Sequence, residues 1–176
     1  ETSARAYPIS INVEEIRRIA NSPRALDYER RLLPLCAGKT IIRVDRAEPS
    51  KNIVRGFKAY SLLLARHPEL LGEVTFLAFL VPSRTHIRQY QRYMDEIQST
   101  IDDINSKYGK DGWQPVVSFI ENNYTQAIAG MKLYDAMVVN SVIDGMNLVA
   151  KEGPVVNTRN GVLILSETTG AHKQLR

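Results

Sequence analysis

From residue 40 onward the apolar positions alternate between two periods. Five short, nearly continuous apolar runs read as strands: TIIRVD (40–45), EVTFLAFLV (73–81), PVVSFI (115–120), AMVVN (136–140) and GVLILS (161–166). Between them the period lengthens to that of a helix. NIVRGFKAYSLLLARHP places Ile53, Phe57, Tyr60 and Leu64 on one face, and Pro68 closes it. The stretch 86–107 carries Ile87, Tyr90, Met94, Ile97, Ile101 and Ile104 on one stripe, and YGKDGW ends it. YTQAIAGMKLYD is expected to be helical despite its glycine, and MNLVAKEGPVVN opens a further helix. Ahead of this alternation, AYPISIN is expected to be extended. VEEIRRIAN and PRALDYERRLLPLC are expected to be helical, with Ser22 capping and Pro23 at the first helical position.

Strands alternating with helices predict βαβ units, hence an α/β fold with a doubly wound, Rossmann-like parallel sheet covered on both faces. In such sheets a ligand lies beyond the carboxyl ends of the strands, where the strand order reverses. For the order 3-2-1-4-5 that point falls between the first and fourth strands. Two polar loops then face one crevice: RAEPSKN (46–52) and SVIDGMN (141–147).

Composition narrows the partners. The 176 residues are 44% hydrophobic and 24% charged, enough for a sizeable core, and the apolar runs fall far short of a bilayer span. The net charge of +4 is mild and its basic residues are scattered, which argues against nucleic acid and suits an anionic small ligand. Cys36 is the single cysteine, so no disulfide forms within the chain and no cysteine zinc site exists. His67, His86 and His172 are dispersed, and no metal site is expected. Neither the Walker A pattern, the dinucleotide glycine fingerprint nor a nucleophile elbow occurs, which disfavours P-loop hydrolysis, hydride transfer and serine chemistry. ETSARAYPISIN has no signal-peptide apolar run, and a cytoplasmic location is expected. The missing initiator Met and the end soon after the fifth strand lead us to expect a piece of a longer protein. Homo-oligomerisation stays open.

Arg46 and Lys51 in the first loop suit a diphosphate: a guanidinium binds phosphate through two donors and an ammonium adds a point charge. Solvated surface charge is the alternative. In the second loop, Asp144 and Gly145 precede a helix whose N-terminal N–H groups and dipole favour an anion. Gly145 would allow a positive φ or a close backbone approach. Asp144 could equally be the helix cap, and Glu152 either a ribose acceptor or a solvated charge. Arg84, after the second strand, also points toward the carboxyl edge, and Lys151 is expected to be solvated or paired.

The segments DGMNLVAKE (144–152), GVLILSETTGAHKQL, PSRTHIRQYQRYMDEI and LYDAMVVNSVIDGMNLVAKE together resemble the C-terminal half of trehalose-6-phosphate synthases and their glycosyltransferase relatives. The resemblance implies one half of a GT-B glycosyltransferase, with residues 1–37 as interdomain lead-in and 38–176 as the nucleotide-sugar (donor) domain. It implies retaining transfer of glucose from a nucleotide sugar, usually UDP-glucose, to glucose-6-phosphate, with no metal or other cofactor. An N-terminal acceptor domain would be a partner, no membrane is needed, and the fragment alone would turn over little. Relatives that make glucosylglycerol phosphate or couple pseudo-sugars, and a non-catalytic sugar-nucleotide sensor, are the alternatives. By this resemblance Arg46 and Lys51 hold the diphosphate and Asp144 the sugar hydroxyls. Gly145, Met146, Asn147 and Leu148 offer backbone to sugar and phosphate, and Glu152 takes the ribose. Phe119 and Ile120 lie at the uracil and Arg84 at the acceptor phosphate. The family's first loop usually reads R-L-D-Y-x-K-G; here Pro49 replaces the tyrosine and Asn52 the glycine.

Overall fold

The computed structural model describes residues 2, 3, 5 and 7–175. The stretch expected to be extended begins at Ala6, which lies outside the described residues; residues 7–12 run on without regular secondary structure. Two helices follow, α1 (Val13–Ala20) and α2 (Pro23–Leu32). Asn12 caps the first by accepting from the Glu15 N–H at 3.1 Å, and Ser22 caps the second through the Ala25 N–H at 3.3 Å. Pro34 cannot donate a helical hydrogen bond, and the chain tightens into a 3-10 turn at Leu33–Leu35 where a continuous helix was expected.

Among the described residues five parallel strands form one sheet: β1 (Lys39–Arg46), β2 (Val74–Val81), β3 (Val116–Ile120), β4 (Ala136–Val139) and β5 (Val162–Leu165). Their order, β3-β2-β1-β4-β5, is the doubly wound arrangement expected from the alternation. The register shows how the crevice opens. β1 pairs with β2 along its whole length, from Lys39 opposite Val74 to Arg46 opposite Val81. With β4 it pairs only at Ile41–Ala136 and Ile42–Met137. Beyond Ile42 the two strands diverge, so their carboxyl ends enclose space rather than continue a ladder.

Helices α3 (Ile53–Arg66) and α4 (Arg88–Tyr108) cover one face, packing on Phe76, Ala78 and Leu80. Phe57 and Tyr60 meet Phe76 edge-on, each with ring centroids 5.3 Å away. On the other face α1, α2, α5 (Tyr124–Met131) and α6 (Val149–Val156) cover Ile42, Leu77, Phe79 and Met137. Ile16, Ala20, Ala25 and Leu32 of the lead-in helices therefore belong to the sheet's own core. Each of the larger two side chains contributes about 1.5–3 kcal/mol by burial.

Three further helix boundaries differ from expectation. α4 begins at Arg88, with Ile87 outside it and partly exposed. α5 stops at Met131 because the Asp135 N–H must reach the Thr40 carbonyl, at 2.9 Å, to enter the sheet. α6 begins at Val149 because Asn147 has φ +62°, which no helix continues through. Among the described residues no helix is long and apolar enough to cross a membrane.

Candidate active site

The divergence of β1 and β4 is spanned by a buried polar brace. Arg43 lies in the middle of β1 with no solvent exposure. Its guanidinium donates to Asp45 Oδ2 at 2.8 and 3.1 Å, to the Ile53 and Lys51 carbonyls at 3.2 Å each, and to Asn140 Oδ1 at 3.2 Å. It also sits over the Phe57 ring, 5.6 Å from the centroid. One side chain thus ties β1 to the first loop, to the start of α3 and to the end of β4. Gly56 makes room for it: a Cβ there would stand 2.6 Å from Arg43 Nη1. Asn52 and Asn140 lace the same gap, each side-chain amide donating to the other's backbone carbonyl at 3.1 and 3.2 Å. Asn52 has φ +58°, a conformation that asparagine and glycine tolerate and other residues resist. Asparagine in the place of the expected glycine is thereby accounted for.

Above the brace lies a cleft of about 430 Å³, lined among others by Asp45, Arg46, Lys51, Asp144, Asn147 and Glu152. Burial pushes the Asp45 carboxyl above its ordinary value, and Arg43 offsets part of that rise. Arg46, the last residue of β1, is largely exposed and pairs with Glu48 at 2.7 Å. Glu48 is itself held by the Ser83 hydroxyl at 2.9 Å, which links the loops after β1 and β2. Pro49–Lys51 forms a 3-10 turn that swings Lys51 across the gap, where its ammonium pairs with Asp144. Asp144 also accepts from Asn147 Nδ2 at 3.0 Å. Burial would raise the Asp144 carboxyl, but Lys51 and Asn147 together hold it below the usual carboxylate range.

Asp144 is not the helix cap. Leu148 occupies the cap position without a side-chain hydrogen bond, and Asn147, one residue earlier, satisfies a first-turn donor instead, its Oδ1 accepting from the Ala150 N–H at 3.0 Å. Among the described residues the Leu148 and Val149 N–H groups donate to no protein acceptor, and both residues line the cleft. They are the unsatisfied donors on which an anion at the α6 N-terminus would sit. Gly145 has no positive φ and open space where a Cβ would be. The close approach belongs instead to Gly170, whose backbone lies against the Gly145 carbonyl; its N–H donates to the Asp144 carbonyl at 3.1 Å. One turn into α6, Glu152 is partly buried and its carboxyl is pushed up by that burial. The Tyr124 hydroxyl, from the start of α5, donates to Glu152 Oε1 at 3.0 Å.

The structure therefore brings Arg46, Lys51, Asp144, Met146, Asn147, Leu148 and Glu152 to one cleft. It places others elsewhere. The Phe119 ring stacks on Phe79 at 4.9 Å, and Ile120 is exposed at the end of β3, outside the cleft lining. Arg84, at φ +47°, lies over the Tyr90 ring and donates to its hydroxyl at 3.0 Å. Gly145 borders a shallower groove with residues 7–9. Lys151, expected to be solvated or paired, is buried and donates to the Ile9 carbonyl at 3.1 Å. Sequence reasoning missed Arg43, Asp45, Tyr124 and Asn140. For the first two a signal existed: charges at alternate positions, on one side of a strand, in a sheet whose other strands are apolar.

The family model described as glycosyltransferase family 20 matches residues 1–176. The chain belongs to glycosyltransferase family 20. It is 36% identical to alpha,alpha-trehalose-phosphate synthase [UDP-forming] A of Dictyostelium discoideum over 78% of its own length and 19% of that protein's. Its backbone matches the E. coli structure titled as bound with UDP-2-fluoro glucose with a TM-score of 0.87 and 30% identity, covering 96% of this chain and 38% of that one. It matches the alpha,alpha-trehalose-phosphate synthase (UDP-forming) of Burkholderia xenovorans, titled as a complex with glucose-6-phosphate, with a TM-score of 0.90 and 28% identity, over 97% of this chain and 39% of that one. The chain thus spans two-fifths or less of these family 20 relatives.

Proposed function

We propose that this chain is the donor-binding domain, residues 38–176 with a packed lead-in, of a UDP-glucose-dependent retaining glucosyltransferase acting on glucose-6-phosphate. One observation carries the reading: a single cleft at the strand-order reversal gathers two cations, an aspartate and two free helix N–H groups. Relatives named as UDP-forming supply the UDP, and two matched structures, one bound with UDP-2-fluoro glucose and one in complex with glucose-6-phosphate, supply the two sugars.

The chemistry follows from where charge develops. As the sugar–phosphate bond lengthens, the sugar becomes oxocarbenium-like and negative charge grows on the leaving diphosphate oxygen. Lys51, Arg46 and the Leu148 and Val149 N–H groups stabilise that oxygen more in the transition state than in the ground state. One such preorganised donor is typically worth about 2.7–4 kcal/mol. Asp144 accepts from sugar hydroxyls and Glu152 from the ribose. The positive groups are all protein-borne, so the scheme uses no metal. The acceptor is held by a second domain, which adds orientation to catalysis.

Each cation has a carboxylate partner, Arg46 with Glu48 and Lys51 with Asp144. A diphosphate must compete for them, and binding to this chain alone is expected to be weak. Calorimetric titration with UDP, GDP and ADP checks the reading. UDP binding that Lys51→Ala abolishes is the expected result. No binding by the folded chain at millimolar UDP, or binding that Lys51→Ala leaves unchanged, would overturn it.

A further inference from the structure

We infer that Tyr124 is a specificity-determining residue of the donor cleft: its hydroxyl fixes the Glu152 carboxylate as an acceptor for the ribose hydroxyls of the nucleotide. The inference rests on the donor-site reading and extends it to a residue on a different element.

Tyr124 is the first residue of α5, and its half-exposed ring lines the cleft opposite α6. Its hydroxyl donates to Glu152 Oε1 at 3.0 Å, the one hydrogen bond the Glu152 carboxylate makes among the described residues. Oε2 is therefore left for a ligand. Burial and the neighbouring Glu152 carboxylate push the phenol well above its ordinary value, so it stays a donor. The α5 terminus is itself anchored. Asn123 caps it through the Gln126 N–H at 3.1 Å and donates to the Tyr28 hydroxyl on α2 at 2.8 Å. The lead-in helix thereby fixes Tyr124, and Tyr124 fixes the orientation and charge of Glu152. A partly buried carboxylate without that donor would be free to swing or to take up a proton, and a site that no longer presents an acceptor stops rewarding a ribose hydroxyl.

The test compares UDP with 2′,3′-dideoxy-UDP and with inorganic pyrophosphate, titrated into the chain and into Tyr124→Phe and Glu152→Gln. Hydrogen bonds to a charged acceptor set the scale. The wild type should prefer UDP over the dideoxy nucleotide by roughly tenfold or more, and both variants should reduce that preference to about threefold or less. Pyrophosphate affinity should stay within about twofold in each, because phenylalanine keeps the ring and the diphosphate contacts lie elsewhere. A Tyr124→Phe chain that keeps the full preference overturns the inference. So does one that loses pyrophosphate affinity in parallel, since that marks a general structural role. Lys51-dependent UDP binding with no preference over the dideoxy form sinks this inference while the donor site stands; no UDP binding at all sinks both.

Discussion

Arg43 does the least visible and most connected work of any residue in the chain. A guanidinium without exposure is tolerated only because Asp45, two carbonyls and Asn140 satisfy its donors. Removing it leaves the Asp45 carboxylate buried without its main partner. Arg43→Met is expected to lower the unfolding free energy by about 3–5 kcal/mol. Replacing Asp45 as well, in Arg43→Met/Asp45→Leu, should recover much of that loss, because no stranded charge remains. Urea unfolding of the two variants checks this; equal stability of Arg43→Met and the wild type would mean that the brace contributes nothing to the stability of the fold. At the same scale, Asn52 shows how a residue can change while its backbone role persists. The turn needs a left-handed residue more than it needs a glycine.

The first turn of α6 has two tasks that one side chain, Asn147, joins. It satisfies the Ala150 N–H in the first turn and positions Asp144 through its amide. Asn147→Ala should cost about 1–2 kcal/mol, combining the lost first-turn hydrogen bond with a left-handed φ that alanine resists. Asn147→Gly should cost less, because glycine accepts φ +62° freely. Urea midpoints in that order support the account, and the reverse order would contradict it. Elements were legible in the sequence to the extent that their signals were local. Strand runs such as EVTFLAFLV are nearly continuous apolar series rich in β-branched and aromatic side chains, and all five strands followed. Helix ends were less legible. α5 ends where the chain must dive into β4, and α6 starts after a left-handed asparagine; both depend on partners far away in sequence. The cations of the cleft were readable because loops after strands are where a doubly wound sheet keeps its ligand. Tyr124 was not, because an aromatic at a helix start looks like packing until Glu152 stands beside it.

For the whole molecule, the consequence of the fold is one divergence. β1 and β4 part after Ile42, the buried brace spans the gap, and the groups proposed to meet the diphosphate reach it from two segments, Arg46 and Lys51 after β1 and the Leu148 and Val149 N–H groups at the start of α6. Lead-in helices share the core of the sheet, so residues 13–35 pack with the sheet that carries the cleft. The acceptor contacts are proposed for the second domain, which fits a chain that covers two-fifths or less of its family 20 relatives. The most direct test is a structure of this chain with UDP at saturating concentration. The account predicts the terminal phosphate at hydrogen-bond distance, about 2.7–3.2 Å, from the Leu148 and Val149 N–H groups and the Lys51 ammonium, with a ribose hydroxyl on Glu152. UDP bound away from the β1–β4 gap, or in it with its phosphates turned from α6, would contradict the account.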